Sequence, residues 1–260
     1  MPDAKGSVPV LLLCCLPAGV ALAEETPPAP AEKLRWLVEL KRQASERGTL
    51  EEATKTNLKL EYQPDGPVSL LRVEVPFPDS ENTSLEGRPR DPDFGDAKVR
   101  FGFRAVQWAG RPWTSFLEFT FPTADPEAQG TGKYQWSGGV KTAVPLGAGY
   151  AWFGPSQRSF SVQVQQVVSF SGDATRNDVN QTKFELELRD TWGAGHYGKA
   201  TAKPLYDWVG RRDGAVLEVE GGWEVDRTWR LAMLAGGLLW GKGTPGTYQT
   251  RIELKAICRF

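Results

Sequence analysis

The sequence predicts an all-β fold: a transmembrane antiparallel up-and-down β-barrel. Three observations carry that expectation. From about residue 66 onward, apolar and polar residues alternate with a period of two. The connections between the alternating segments switch between long polar loops and tight turns. The chain opens on an export-type leader and stops on Phe260, an aromatic that ends an alternating segment.

Composition agrees. The 260 residues include 28 Gly, 10 Trp, 12 Phe and 6 Tyr against 2 Met and 1 His, at a mean hydropathy of -0.40. A polar chain rich in aromatics and glycine reads as many short strands and turns. The net charge of -1 supplies no attraction to polyphosphates, so nucleic acid is not an expected partner. Cys14 and Cys15 fall in the leader and only Cys258 follows, which excludes an internal disulfide in the exported chain. Zinc-type Cys/His spacing is absent, and neither a metal nor another cofactor is expected.

The N-terminal elements follow in order. Residues 1-23 read as a signal peptide. Lys5 gives a weak positive start, Val8 to Ala23 is apolar, and Ala21-Leu22-Ala23 offers a small-x-small cleavage site before Glu24. Residues 24-55 read as a linker and a periplasmic helical segment. Glu24 to Glu32 is Pro/Ala-rich and extended. Residues 31-55 look helical, because Leu34, Leu37 and Val38 share a helical face that Lys41 would extend. Thr49-Leu50-Glu51-Glu52 resembles a capping box for a second short helix.

The barrel is assigned to residues 56-260. After the leader no apolar run is long enough to span a bilayer as a helix; the longest, Leu231 to Trp240, has about half the required length. A closed barrel is the other architecture that satisfies every backbone group inside lipid. Val99, Phe101 and Phe103 alternate with Lys98, Arg100, Gly102 and Arg104. Trp113 to Phe121, Phe160 to Val168, Phe184 to Leu188 and Leu217 to Trp223 repeat the pattern, and Tyr248 to Phe260 ends it. Counting back from the C-terminus gives about 10 strands starting near residue 66. Residues 57-63 are a further candidate, which makes 12 the alternative count.

Loops 78-94, 123-131 and 171-180 are long, and 209-214 is moderate. Ala109-Gly110-Arg111, Gly193-Ala194-Gly195 and Asp226-Arg227 are tight turns. Segment 145-158 departs from the rule, since it reads as a longer connection where a tight turn is due. Trp108, Trp113, Trp192, Tyr197, Trp229 and Phe260 fall near the expected periplasmic ends. Trp136, Trp208, Trp240 and Tyr248 fall near the outer ends, as two interfacial girdles require. Phe260 reads as an assembly signal, which implies barrel-assembly machinery and outer-membrane lipid as partners, and the bacterial outer membrane as location.

Certain strand-entry motifs add a resemblance. Phe94-Gly95-Asp96-Ala97 opens a strand, and Phe121-Pro122-Thr123-Ala124 with Gly130-Thr131-Gly132-Lys133-Tyr134 brackets the next long loop. In these motifs, over most of residues 66-260, the sequence resembles the outer-membrane barrel family named for the meta-pathway of phenol degradation, whose members are loosely described as transporters. The resemblance implies an outer-membrane location and passage of small, hydrophobic compounds. It implies no catalytic set, and the N-terminal helical arm lies outside it.

The charged face of the strands supplies the lumen-lining candidates: Arg100, Arg104, Glu118, Lys183, Glu185, Glu187, Arg189, Glu218, Glu220, Arg230, Arg251 and Glu253. Charges of both signs on one face read as a paired network, because a buried charge needs a partner. No catalytic residues are assigned. His196, the single histidine, sits beside a predicted periplasmic turn, the wrong rim for an enzyme acting on outer-leaflet lipid. The sequence therefore points to a narrow or gated channel for a small-molecule solute rather than an enzyme. The alternatives are a structural or adhesive barrel, contacting partners through loops 78-94 and 171-180, and a barrel-embedded lipid-modifying enzyme. A soluble lipocalin-like barrel is the rival fold, and it would bury the apolar face instead.

Overall fold

Side-chain direction decides this fold, and the N-terminal part of the chain shows how. The computed structural model describes residues 35–46, 53–81, 94–124, 131–151, 154–193 and 195–260. The signal peptide, the Pro/Ala linker and the Thr49-Leu50-Glu51-Glu52 motif lie outside the described residues. The helix expected within 31-55 does not form where the chain is described. Residues Trp36–Ser45 are strand β1. The helical spacing of Leu37, Val38 and Lys41 is overridden by a second pattern in the same residues. Trp36, Val38 and Leu40 alternate with Glu39, Lys41 and Gln43, and strands on both sides are available to pair with them.

The remaining strands are β2 (Ala53–Tyr62), β3 (Val68–Glu81), β4 (Ala97–Phe103), β5 (Val106–Trp108), β6 (Arg111–Phe121) and β7 (Lys133–Ala151). They continue as β8 (Gly154–Gly172), β9 (Asn180–Trp192), β10 (His196–Asp207), β11 (Arg212–Glu224), β12 (Trp229–Trp240) and β13 (Thr250–Arg259). Each pairs antiparallel with its neighbours in the sheet, β1 pairs with both β2 and β13, and β4 pairs with β6. The sheet therefore closes into a barrel of 12 strands, with β5 as an added short strand. Ten of the twelve lie after residue 66, as the alternation predicts. β1 and β2 correct that first count to the alternative of 12, which keeps the number even.

The seam between the chain ends is fully bonded. The Trp36 amide donates to the Phe260 carbonyl at 2.9 Å, and the Phe260 amide donates to the Trp36 carbonyl at 3.0 Å. Closure removes the unpaired edge that an open sheet would expose to lipid. β5 continues β4 after a break at Arg104–Ala105. It forms a hairpin with β6 through Ala109 (φ 51°) and Gly110 (φ 71°), both in the left-handed region that such tight turns need.

Tight connections share one rim with Trp36 and Phe260, and longer ones share the other. Segment 145-158 is no exception after all. β7 and β8 run on through it and pair until Ala151 meets Gly154. In the 171-180 loop, Asp173 accepts hydrogen bonds from the Thr175 amide and hydroxyl, both at 2.8 Å, which hold its carboxyl below its usual range.

Polarity is inverted relative to a soluble barrel. On β11 and β13, Glu218, Glu220 and Glu253 are 4% exposed, whereas Val219 and Leu254 are 56% and 57% exposed. Leu40, Leu60, Phe119, Leu188, Leu231 and Met233 are also exposed, all on the outward face. Such a belt is costly in water and stable only in lipid. The lipocalin-like alternative, with its apolar face inside, is excluded by these side-chain directions. Trp36, Trp108 and Trp229 are exposed at the short-turn rim, and Trp208 and Trp240 at the long-loop rim. The two outer indoles donate to Thr182 Oγ1 at 2.9 Å and to Asp213 Oδ2 at 2.8 Å, the wet tip and apolar body of an interfacial residue.

Candidate functional site: the charged inner wall

The inward face is built from ion pairs that span strands. Its centre lies on β11. Glu218 accepts hydrogen bonds from Lys203 Nζ at 2.5 Å, from the Tyr248 hydroxyl at 2.5 Å and from Arg251 Nη1 at 3.4 Å. Glu220 accepts one from the Tyr197 hydroxyl at 2.9 Å and one from Lys255, and Lys199 stands 3.5 Å away. Glu253 bridges Arg251 at 3.7 Å and Lys255 at 3.5 Å. Glu187 reaches Lys199 at 3.5 Å.

These contacts join β11 to β13 across the intervening β12, which a concave surface allows and a convex one does not. The register explains the passage. Gly236 on β12 is the partner of both Glu218 and Arg251, so no side chain stands between them. Carboxylates at 4% exposure need this number of donors, since an unpartnered buried charge is costly.

Two further groups complete the network. Lys59 lies 2.7 Å from Glu39 and 3.4 Å from Glu61, and Arg72 lies 2.7 Å from Glu61. Arg100 lies 2.7 Å from Glu118 and over the ring of Phe116 at 4.2 Å. Arg72 and Arg100 are register partners on adjacent strands. Each carries its own carboxylate, which removes the like-charge penalty such a pair would otherwise have.

The sequence-selected residues are distributed as follows. Arg100 and Glu118 form one pair; Glu218, Glu220, Arg251 and Glu253 form the central group, and Glu187 joins it through Lys199. Arg189 lies over the Tyr197 ring at 4.5 Å. Arg230 pairs with Glu224 near the short-turn rim. Lys183 and Glu185 share the face by register, and among the described residues neither forms an ion pair. Arg104 is outside this group: it sits exposed in the break between β4 and β5, where its amide donates to the Pro67 carbonyl at 3.2 Å.

Tyr197 and Tyr248, expected in the aromatic girdles, instead turn inward, buried at 3% and 8% exposure. Tyr197 follows the inward period of β10, Tyr248 turns inward at the bend before β13, and a carboxylate inside the barrel takes each hydroxyl. Sequence reasoning also passed over Glu39, Asn57, Lys59 and Glu61, although the alternation of Asn57, Lys59 and Glu61 with Leu58 and Leu60 was visible.

His196 lies exposed at the short-turn rim, its ring stacked on Trp223 at 6.0 Å. A cavity of about 340 Å³ there is lined by Ser156, Gln157, Arg189, His196, Tyr197 and Glu224 among others. Ser156 is two strands from His196 in register, each paired to Trp192, and no hydrogen bond joins them. Glu224 is engaged by Arg230. Among the described residues no group of His, Cys, Asp and Glu is placed to hold a metal ion.

A closed 12-stranded barrel with an apolar, aromatic-girdled exterior and an ionised interior defines an outer-membrane β-barrel. Known structures agree with that class. The fold is similar to that of the COG4313 outer membrane channel from Pseudomonas putida F1, with a TM-score of 0.61 over 91% of this chain and 100% of that one, at 11% identity. Weaker likeness extends to the outer membrane protein Omp33 of Acinetobacter baumannii, with a TM-score of 0.41 and 10% identity, covering 87% of this chain and 98% of that one. No protein-family model and no curated protein sequence matches the chain. The label of the phenol meta-pathway family therefore rests on the strand-entry motifs alone.

Proposed function

We propose that the barrel is a narrow channel that carries small polar or charged solutes across the outer membrane. One observation carries this reading: the inner wall is ionised and still reached by solvent. Arg72, Lys199 and Arg251 keep 23–24% of their side-chain surface accessible while they hold their carboxylates. A barrel with a purely structural role gains nothing from a wet, charged interior, because apolar filling would be at least as stable. The same wall disfavours hydrophobic cargo along the lumen, since each cation would have to lose water against an apolar solute. The likeness to a solved outer-membrane channel supports the reading at the level of fold. Among the described residues, Ser156 and His196 share the rim cavity without a hydrogen bond between them.

The test is conductance of the refolded chain in a planar bilayer. Discrete, reproducible current steps are the expected result. A silent barrel that is nevertheless folded, by heat-modifiable electrophoretic mobility, would overturn the channel reading. A structural or adhesive role, or lipid modification, would then be the readings to pursue.

A further inference from the structure

The ion-pair network leaves a remainder in which ammonium groups outnumber carboxylates. Lys41 on β1, Lys55 on β2, Lys98 on β4 and Lys183 on β9 all stand on the inward face, half-buried. Among the described residues none of them forms an ion pair or a side-chain hydrogen bond. They are nonetheless near one another. Lys55 is within electrostatic reach of Lys41, Lys98 and Arg251. Lys183 is within reach of Lys98, four strands away around the wall, and of Glu118, which Arg100 already holds. Glu74, the register partner of Lys98, is the carboxylate that Lys41, Lys55 and Lys98 share, and among the described residues it forms no ion pair with them.

A second, independent observation points to what these lysines face. Asn57 lies on β2 two residues from Lys55 and is the register partner of Lys41. It is 3% exposed, and its Nδ2 donor has no partner. Arg251, within reach of Lys55, likewise has a buried Nε donor without a partner. A buried N–H left unmade is costly and rare in a folded wall. Several ammonium groups and two orphaned donors, gathered around the one carboxylate of Glu74, complement a further anion.

We propose that Lys41, Lys55, Lys98 and Asn57 form an anion site on the inner wall. Its ligands are small monovalent anions, chloride and the carboxylates of small organic acids, and it makes the barrel anion-selective. This rests on the channel reading only for the selectivity, not for the binding. The physical basis is that of charged rings in other pores: fixed cations beside low-dielectric walls raise the local anion concentration and exclude cations. The paired groups on β11 and β13 contribute little, because their charges cancel at close range. The four lysines outnumber the carboxylate of Glu74 and supply the net positive field.

Two measurements separate this proposal from the channel reading. The first is the reversal potential of the refolded chain in a planar bilayer under a potassium chloride gradient, repeated with potassium acetate. Anion permeability should exceed that of potassium by several-fold, and the double variant Lys55→Glu, Lys98→Glu should bring the ratio below one. A conducting barrel without anion preference, or one whose reversal potential these changes do not move, overturns the proposal. The second needs no conduction: the excess chloride-35 NMR linewidth of the folded chain in zwitterionic detergent micelles. Broadening that acetate competes away, and that falls at least twofold in the variant Lys55→Gln, Lys98→Gln, is the expected result. If the folded chain causes no broadening, or the variant broadens equally, there is no anion site, whether or not the barrel conducts.

Discussion

The Tyr248 hydroxyl donates a 2.5 Å hydrogen bond to Glu218, and the bond passes directly over Gly236. A Cβ on Gly236 would lie 2.6 Å from the Tyr248 hydroxyl oxygen and 3.1 Å from Glu218 Cγ. The absence of a side chain on β12 is thus a condition for the central group of the inner wall. Gly236→Ala should break the Tyr248–Glu218 contact and lower stability by roughly 1–3 kcal/mol. Urea titration of the vesicle-reconstituted barrel, followed by Trp fluorescence, measures this. An unchanged midpoint would mean that the tyrosine has another acceptor.

The same relationship recurs at Gly222 and Gly139. A Cβ on Gly222 would meet the Tyr197 ring at 2.3 Å, and one on Gly139 would meet the Phe116 ring at 2.4 Å. Both glycines are register partners of the aromatic that covers them. Arg100 in turn lies on Phe116, so Gly139→Val should disturb the Arg100–Glu118 pair two strands away. A double-mutant cycle between Gly139→Val and Glu118→Gln should show a coupling of roughly 0.5–2 kcal/mol. Additive effects would show that the ring can move without the arginine.

Glu218→Gln removes the negative charge, and one of the two acceptor oxygens, that Lys203, Arg251 and Tyr248 share. A dry buried pair broken this way loses about 3–5 kcal/mol. Lys203 is 35% exposed, so water screens part of the loss, and the expected cost is about 1–2 kcal/mol. Equilibrium unfolding against the parent chain checks the figure, and a cost near zero would mark the group as solvated.

Val219 tests the outward face. It lies mid-strand on β11, 56% exposed, between Ala200 and Ala235. Val219→Arg should destabilise the barrel by about 2–4 kcal/mol in vesicles, because it places a cation against lipid near the midplane. Val219→Leu should change little. If the arginine is tolerated as well as leucine, Val219 does not face the hydrocarbon.

Phe260 tests assembly. Its backbone closes the seam with Trp36, while its side chain is exposed at the rim. Phe260→Ala keeps both backbone hydrogen bonds, so the folded barrel should keep its stability. The rate of insertion assisted by purified assembly machinery should fall, whereas spontaneous refolding in detergent should not. Equal assisted rates for both chains would remove Phe260 from the signal.

Much of this architecture could be read without coordinates. Strands after residue 66 announce themselves because a half-lipid, half-lumen environment imposes a period of two on every residue. Arg100 with Glu118 and Arg251 with Glu253 are legible for the same reason. β1 was not, since Leu34, Leu37 and Val38 satisfy a helical spacing while Trp36, Val38 and Leu40 satisfy a strand spacing. Only the presence of β2 and β13 as hydrogen-bonding neighbours decides between them. Tyr197 was misassigned to a girdle because its rank along the strand was read without its direction, and Tyr248 because the bend at Gln249 breaks the period before β13 begins.

What the sequence by itself determined is the class of environment: alternation, turn lengths and aromatic placement are one-dimensional consequences of a bilayer of fixed thickness. What only the tertiary structure decided is which charges meet. Glu218 finds Arg251 across Gly236, while Lys41, Lys55 and Lys98 share the one carboxylate of Glu74 with no ion pair among the described residues. Ion pairing depends on closure, register and the space left by a neighbour's missing side chain, and these are properties of the closed sheet that no single strand contains.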